Sequence, residues 1–294
     1  MGVAVGAEGR TGGRTVLGHL LPVDKLLLAY LSVITIVAVI RAPRQPDCWW
    51  LVPAHALFLL LLFLLRRKAL GAAGQALGEI YPILLLVGLY GEIGILNGHG
   101  VSVHDGLVQR WETAVFGFEV SREWWQAMPS RVWSAVFHGA YFSYYLIVTV
   151  PGLIFLHRRQ TAALRSFVFT VMATFIACYL AFIVFPVAGP YYIFPRPSAW
   201  FIDNLPARLV YATLAAGSSY GAAFPSSHVA AAVAATVSSF RGSRAVGLAL
   251  VVPTMLLSIG VVYCQMHYGV DAVAGALVGA AIGVGTQMTQ KTQT

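Results

Sequence analysis

The chain has 294 residues, of which 58% are hydrophobic and only 10% are charged. A soluble domain carries about 25% charged residues, so this composition excludes an ordinary water-soluble protein and indicates a multi-pass membrane protein. The net charge of +8 does not indicate a nucleic-acid partner, because no basic patch with interleaved aromatic residues occurs. The three cysteines, Cys48, Cys178 and Cys264, are widely spaced and form no disulfide or metal-binding pattern.

The predicted fold is an all-α integral membrane protein with about eight transmembrane helices. A polar cytoplasmic tail over residues 1–23 precedes two extra N-terminal helices within 24–76, and a six-helix core follows over 77–288. No long linker divides the chain, so we expect one helical bundle. Apolar stretches able to cross about 30 Å of hydrocarbon occur at residues 24–40, 49–65, 77–96, 132–156, 166–185, 224–240, 245–263 and 268–287.

The sixth and eighth stretches are rich in alanine and glycine and only weakly hydrophobic. We therefore expect both to be buried among other helices. In the eighth, Gly275, Gly279 and Gly283 recur every four residues. This spacing predicts a smooth helix face for close contact with a neighbouring helix.

The distribution of Lys and Arg predicts the orientation. Counted over alternate segments, twelve lie on the side that holds the N-terminus and seven on the other, which accounts for all 19. The twelve are Arg10, Arg14, Lys25, Arg66, Arg67, Lys68, Arg158, Arg159, Arg165, Arg241, Arg244 and Lys291. Because cytoplasmic segments carry the excess, both termini are expected in the cytoplasm. The sixth and eighth stretches then start at the extracytoplasmic face; the inverted orientation is the alternative.

The outer loop 97–131 mixes aromatic and charged residues, with Trp111, Phe116 and Trp124 among the aromatics. This composition is typical of a segment that lies in the membrane interface. Two interpretations stay open: the loop covers a site, or it only connects two spans.

A Pro-Ser-Ser-His motif at residues 225–228 stands where the sixth apolar stretch begins. Pro225 suits the first turn of a helix. The free backbone N–H groups of that turn, together with Ser226 and Ser227, can hold an anion at the positive end of the helix dipole. We therefore expect Ser226 and Ser227 to bind substrate phosphate and His228 to face it.

His267 and Asp271 stand four residues apart at the start of the eighth stretch. On a helix they share one face, so the Asp271 carboxylate can accept a hydrogen bond from one ring nitrogen of His267. The other nitrogen is then free to attack phosphorus and form a phosphohistidine, while His228 protonates the departing alkoxide. Ionisable groups at membrane depth are usually functional, so we predict that His228, His267 and Asp271 are catalytic.

A metal site is an alternative for the same three residues, since two histidines and a carboxylate can hold zinc or iron. Asp271 is better placed to orient His267 than to share its metal, and the sequence offers no third strong ligand. We therefore expect neither a metal nor a cofactor.

These motifs resemble signatures of the type-2 phosphatidic acid phosphatase superfamily. Its Pro-Ser-Gly-His is matched by residues 225–228 with one Gly-to-Ser change, and the end of its Ser-Arg-x5-His-x3-Asp is matched by His267 and Asp271. The Ser-Arg of that signature is replaced by Gly260 and Val261. The resemblance implies a membrane enzyme that acts on a phospholipid or lipid phosphate.

The first signature of that superfamily, Lys-x6-Arg-Pro, is half present. Arg196 and Pro197 match its end, but Gly189 stands at the Lys position. The resemblance covers about residues 77–288. The roles that it implies are nucleophile for His267, orienting partner for Asp271, acid and base for His228, and phosphate ligand for Arg196.

Without Ser-Arg, the compact His-Tyr-x-x-Asp form looks like the branch of inositol phosphorylceramide synthases and sphingomyelin synthases. These enzymes move a phospho-headgroup from a phospholipid to a lipid alcohol. The Gly-Pro-Tyr-Tyr turn at 189–192 also looks like that branch, so Tyr191 and Tyr192 are expected at the substrate. A phosphodiester bears one negative charge and needs fewer cations than a phosphomonoester, although Arg208 or a backbone nest can substitute. Phosphotransfer is therefore the preferred prediction.

Two alternatives follow from the same residues. A lipid phosphate phosphatase would share the first half-reaction and use water as the acceptor. A transporter or flippase would use the histidines, Glu92 and His138 to line a pathway. In the enzyme interpretation Glu79, Glu92 and His138 are buried polar groups that satisfy one another.

Overall fold

The computed structural model describes residues 20–67, 71–98 and 100–291, with side chains as far as 286. Most of the predicted polar tail, Lys68 and the side chain of Lys291 therefore lie outside the described residues. The described part forms fourteen α-helices, one 3-10 helix over Pro46–Trp50 and no β-strand. The helices are α1 (Pro22–Arg41), α2 (Leu51–Leu65), α3 (Ala72–Asn97), α4 (Asp105–Phe116), α5 (Val120–Ala127), α6 (Arg131–Phe142), α7 (Tyr144–His157), α8 (Thr161–Val184), α9 (Pro190–Ile193), α10 (Ala199–Ile202), α11 (Leu205–Gly217), α12 (Ser227–Gly242), α13 (Arg244–Tyr263) and α14 (Gly269–Lys291).

Six of the described helical segments are long and apolar enough to cross a membrane, and the number is seven if α6 and α7 form one bent span. The predicted class, an all-α multi-pass membrane protein, is confirmed. The predicted number of about eight spans also requires α12. That helix has only 16 residues, fewer than the roughly 17 to 25 of a typical transmembrane helix.

The predicted apolar stretch at 132–156 forms two helices with a bend between them. It consists of α6 and α7, whose axes are bent by 41°. Ser143 lies at the break, and its hydroxyl donates to the Ala140 carbonyl at 2.7 Å. A serine that bonds a preceding carbonyl competes with the helical ladder and favours such a bend. The stretch can still cross the membrane as one bent span.

Polar side chains cap the starts of several helices, because the first backbone N–H groups of a helix have no intrahelical acceptor. Ser130, Asn204, Ser226 and Ser243 each accept from the backbone N–H three residues further on. Pro225 precedes the cap Ser226 and lies outside α12, with a cis bond to Phe224. The expectation that Pro225 occupies the first helical turn was therefore wrong.

Helix α12 lies at the centre of the bundle, against α8, α13 and α14. Its alanines are almost all fully buried. The glycines of α14 face it: a Cβ atom at Gly275 or Gly279 would overlap the backbone oxygen of Ser226 or Ala230. The predicted close contact of this glycine face is confirmed. The opposite face of α14 is exposed, since Leu277 is 66% exposed. Helix α14 is therefore buried on one side only, whereas the eighth stretch was expected to be buried among other helices.

Polar contacts join the N-terminal helices to the rest of the bundle. Asp24 on α1 pairs with Arg66 at 2.7 Å and accepts from the Tyr81 hydroxyl at 2.6 Å. At the other end of the same helix, the Arg41 guanidinium donates to the backbone oxygens of Leu96 and Ile183. These contacts hold α1 against α3 and α8.

The polar side chains expected to satisfy one another have other partners instead. Glu79 pairs with Arg165 at 2.5 Å. The Glu92 carboxylate lies 3.2 Å from the His55 ring. His138 lies against the Ser134 carbonyl, with 2.8 Å between its Nδ1 and that oxygen. A mutual cluster of Glu79, Glu92 and His138 was therefore the wrong expectation.

Candidate active site

His267 lies in the turn between α13 and α14, two residues before α14 begins. Helix α13 ends at Tyr263 and is followed two residues later by a left-handed residue, Gln265, with φ of 59°. The N–H groups of Met266 and His267 both donate to the Val261 carbonyl at 2.9 Å. This C-terminal arrangement satisfies carbonyls at a helix end. The prediction that His267 and Asp271 share one helix was therefore wrong.

The same turn nevertheless brings the two side chains together. Asp271 lies in the first turn of α14, where its Oδ2 accepts from the Tyr268 N–H at 2.9 Å. His267 Nδ1 is 3.4 Å from that Oδ2. This is ion-pair distance without the alignment of a hydrogen bond. Asp271 is fully buried and His267 is 5% exposed.

Burial decides the charge state of His267. Removal from solvent lowers the pKa of His267 to about 4, and a backbone interaction with Ala223 opposes this shift only in part. The imidazole is therefore neutral at pH 7. A neutral ring has the free lone pair that attack on phosphorus requires.

His228 and His267 face each other although they lie 39 residues apart in the chain. Their ring centroids are 5.7 Å apart and the ring planes make an angle of 59°. A backbone hydrogen bond joins the segments that carry the two histidines, since Ser226 N–H donates to the Asp271 carbonyl at 3.0 Å. The close contact of Gly275 with Ser226 adds to this fixation. The two motifs thus form one site.

The serines of the first motif are buried, and one has a structural partner. The Ser226 hydroxyl accepts from Val229 N–H at 3.4 Å as the cap of α12. Ser227 is 3% exposed and begins the helix. Their position at the helix start is the one at which an anion is stabilised by the helix dipole.

Two tyrosines that the sequence analysis did not single out contact His228. The Tyr141 hydroxyl oxygen lies 3.2 Å from His228 Nε2, with 4.9 Å between the ring centroids. The Tyr144 ring lies 4.6 Å from the imidazole. The sequence places both in an aromatic-rich apolar stretch, where nothing distinguishes them from lipid-facing residues.

Asp105 is a second buried carboxylate beside the site. It accepts from the N–H groups of Ala188 and Gly189, both at 2.8 Å, and from the Tyr268 hydroxyl at 2.9 Å. It therefore connects α4 with the 188–189 turn and with the residue that follows His267.

Glu112 lies about two turns after Asp105 on α4 and holds the start of α14. It accepts from Gly269 N–H at 2.8 Å and from the N–H and hydroxyl of Ser121 at 3.1 and 2.9 Å. Burial raises the pKa of Glu112, and these bonds counteract the rise. Asp105 and Glu112 are seven residues apart and share one face of α4. In a chain with so few charges, two acidic residues at this spacing could have indicated from the sequence that the loop 97–131 packs on the site.

Gly189 occupies the position at which the resembled signature carries a lysine. Its φ is +89°, which favours glycine, and a Cβ atom there would lie 2.8 Å from the Ala223 Cβ. The backbone of this turn thus packs directly against the first histidine motif, and a longer side chain would not fit.

The other predicted substrate ligands contact side chains outside the histidine pair. The Arg196 guanidinium lies over the rings of Tyr191 and Tyr211, 5.9 and 5.5 Å from their centroids. It lines a cavity of about 420 Å³ together with Asp203 and Arg208. Among the described residues, none of the contacts of Arg196 or Tyr191 is with an imidazole of the site.

Tyr192 points to another part of the chain. Its hydroxyl lies 2.6 Å from the Ser218 hydroxyl, and its ring contacts Tyr220 at 5.2 Å. The Arg196 segment is nevertheless attached near the site, because the Gln265 amide donates to the Pro195 carbonyl at 2.8 Å.

Within the described part of the chain, no group of three or more His, Cys, Asp and Glu side chains is arranged to hold a metal ion. His228, His267 and Asp271 are thus a pair of imidazoles with one carboxylate. That set suits proton transfer and nucleophilic attack.

Comparison with protein families identifies one match. The family model described as PAP2 superfamily matches residues 107–284, which is more than half of the chain. The match begins in α4, ends in α14 and includes both histidine motifs and Arg196. No curated protein matches the chain, and no solved structure matches it.

Proposed function

The chain belongs to the PAP2 superfamily of lipid phosphatases and phosphotransferases, and we propose that it cleaves a lipid P–O bond through a phosphohistidine on His267. The observation that carries this proposal is the 5.7 Å separation of the ring centroids of His228 and His267, with the Asp271 carboxylate 3.4 Å from His267 Nδ1. We assign residues 77–288 as the catalytic core and 24–76 as an N-terminal addition.

In the first half-reaction, His267 attacks phosphorus with Nε2, since its Nδ1 faces Asp271. The N–P bond forms as the bond from phosphorus to the lipid oxygen breaks. The departing alkoxide takes a proton from His228. The Asp271 carboxylate stabilises the positive charge that develops on the His267 ring, as in a hydrolytic triad.

In the second half-reaction, an acceptor hydroxyl gives its proton to His228 and its oxygen attacks phosphorus. The N–P bond breaks and His267 is regenerated. The preferred acceptor is a lipid alcohol, as in the inositol phosphorylceramide and sphingomyelin synthase branch. Burial of His267 to 5% exposure supports this choice, because a site closed to solvent disfavours water as the acceptor.

The charges around the histidines favour a phosphodiester donor. Asp105, Glu112 and Asp271 are all buried. Asp271 faces His267, Asp105 and Glu112 accept from the next two residues, Tyr268 and Gly269, and the lysine position is Gly189. A singly charged phosphodiester meets less repulsion from these carboxylates than a doubly charged phosphomonoester.

Hydrolysis of a lipid phosphate is the second candidate. One observation favours it: Arg196 and Arg208 line the same cavity and could together bind a more highly charged phosphate. Arg208 is partly neutralised by its ion pair with Asp203.

The proposed site faces the extracytoplasmic side and the termini face the cytoplasm. Arg66, Arg158, Arg241 and Arg244 lie at or next to the helix ends that are remote from the histidines, and such basic segments favour the cytoplasmic side.

The experiment is phosphotransfer in reconstituted vesicles. Phosphatidylinositol labelled in the headgroup is supplied with a long-chain lipid alcohol, and the lipids are analysed by mass spectrometry. The expected product is the phospho-headgroup on the alcohol, absent with His267→Ala. Free phosphate or inositol phosphate alone would reject the transferase and support the phosphatase. Activity that is lost to a chelator and restored by zinc would reject metal-independent chemistry.

A further inference from the structure

We infer that Tyr141 is a positioning residue that holds the Nε2 side of His228 and leaves Nδ1 as the nitrogen that exchanges a proton with the lipid oxygen. The inference rests on the acid and base role proposed for His228. It adds a residue from α6, a helix that carries neither histidine motif.

The contact is within hydrogen-bond distance and is buried. The Tyr141 oxygen lies 3.2 Å from His228 Nε2, and Tyr141 is 8% exposed. His228 Nδ1 is buried and has no hydrogen-bond partner among the described residues. One ring nitrogen is therefore held by the protein, and the other is free for a substrate atom.

The break between α6 and α7 lies between the two tyrosines that contact this ring. Tyr141 is in the last turn of α6 and Tyr144 is the first residue of α7. Tyr141 contributes a hydroxyl to the ring edge, whereas the described contact of Tyr144 with His228 is between the rings. This difference provides a matched pair of variants.

The proton inventory is consistent with the proposed reaction. A tyrosine oxygen can accept a hydrogen bond, so Nε2–H of His228 can donate to Tyr141 throughout. In the first half-reaction Nδ1–H gives its proton to the alkoxide as the P–O bond breaks. In the second, the Nδ1 lone pair takes the proton of the acceptor hydroxyl. Nε2 keeps its proton in both.

The two histidines have partners suited to their different tasks. The ring of His267 faces the carboxylate of Asp271, which stabilises a ring bonded to phosphorus. The ring of His228 faces an uncharged phenol. A neutral partner orients the ring without holding it permanently protonated, and the ring must lose and regain a proton in each cycle.

The test compares Tyr141→Phe with Tyr144→Phe on two phosphodiesters that share one phosphoryl group. One has an alkyl leaving group, and the other has a 4-nitrophenolate leaving group that departs without a proton. Tyr141→Phe is expected to lower the rate of phosphoenzyme formation from the alkyl substrate by about 10- to 100-fold, within the range of general acid catalysis, and from the aryl substrate by about twofold or less. Tyr144→Phe is expected to keep the wild-type ratio of the two rates.

Equal loss on both substrates with Tyr141→Phe, or an unchanged rate on both, would overturn the inference. The proposed function would still stand if His267→Ala were inactive in the same assay, and it would fail if His267→Ala transferred phosphate normally. If Tyr141→Phe does not fold, ¹⁵N shifts of His228 in the unaltered protein decide, assigned with His228→Asn. A proton on Nε2 supports the inference, and a proton on Nδ1 alone overturns it.

Discussion

The Nδ1 atom of His267 lies 3.4 Å from Oδ2 of Asp271, although the helix that carries Asp271 begins only at Gly269. The carboxylate reaches back over its own helix start and also accepts from the Tyr268 N–H. One side chain thus holds the turn and faces the proposed nucleophile. The relationship depends on this turn and not on helical periodicity.

Asp271→Asn should separate these two tasks. The asparagine oxygen can still accept from Tyr268 N–H, so the melting temperature should change little. The negative charge beside His267 is lost, and kcat should fall by up to about 10⁴-fold, as for the equivalent change in a hydrolytic triad. Turnover and thermal unfolding in detergent are measured on the same preparation. A normal kcat would show that Asp271 is only a helix cap.

His267→Ala should abolish a covalent phosphoenzyme. Wild-type protein incubated briefly with a ³²P-labelled diester and quenched should carry an acid-labile, alkali-stable label. His228→Ala should still form the adduct from a 4-nitrophenyl diester, because that leaving group needs no proton. A labelled adduct that survives His267→Ala would place the nucleophile elsewhere.

The pH dependence should reflect the pKa of about 4 that burial imposes on His267. The ring must be neutral to attack, so the acid limb of kcat/KM is expected near pH 4 and not near the ordinary value of 6.5. An acid limb near pH 6.5 that remains when each of the other histidines is substituted would contradict this.

The same pKa predicts a stability change. Between pH 6.5 and 4 the unfolded chain binds a proton at position 267 and the folded chain does not, so folding stability should fall as the pH is lowered through this range. The whole effect is about 3 kcal/mol. The slope of stability against pH should be smaller in His267→Gln, which cannot titrate.

Asp105→Asn should destabilise the protein. Asp105 accepts from Ala188 N–H, Gly189 N–H and the Tyr268 hydroxyl, and an amide NH₂ would face one of these donors. A loss of about 2–3 kcal/mol is expected from an unmatched buried donor. Asp47→Asn, at an exposed carboxylate, is the control and should leave the unfolding midpoint unchanged. Equal midpoints for the two variants would contradict a structural role for Asp105.

Gly279→Ala should disturb the contact between α14 and α12. The new Cβ atom would overlap the backbone oxygen of Ala230, which cannot move without shifting α12, so a loss of about 1–3 kcal/mol is expected. Gly91→Ala is the matched control, since nothing lies within 4 Å of a Cβ atom there. It should stabilise its helix slightly. Similar midpoints for both variants would show that the glycine face is not close-packed.

Part of the site could be predicted because its features are local. The motif at residues 225–228 and the pair His267 and Asp271 each stand where an apolar stretch begins. A cap residue and a helix start can be recognised from a few neighbouring residues. Asp105 and Tyr141 could not be found this way, because their partners Tyr268 and His228 are 163 and 87 residues away in the chain.

The sequence alone determined the membrane class, the helical content, the close-packed glycine face and the two histidine motifs, because hydrophobic length and residue spacing act over short distances. The tertiary structure decided the break at Ser143, the turn that holds His267, and the packing of α4 on the site. It also decided that Arg196 lies over tyrosine rings in its own cavity. These features depend on which helices meet and at what angle, and that is set by packing between distant parts of the chain.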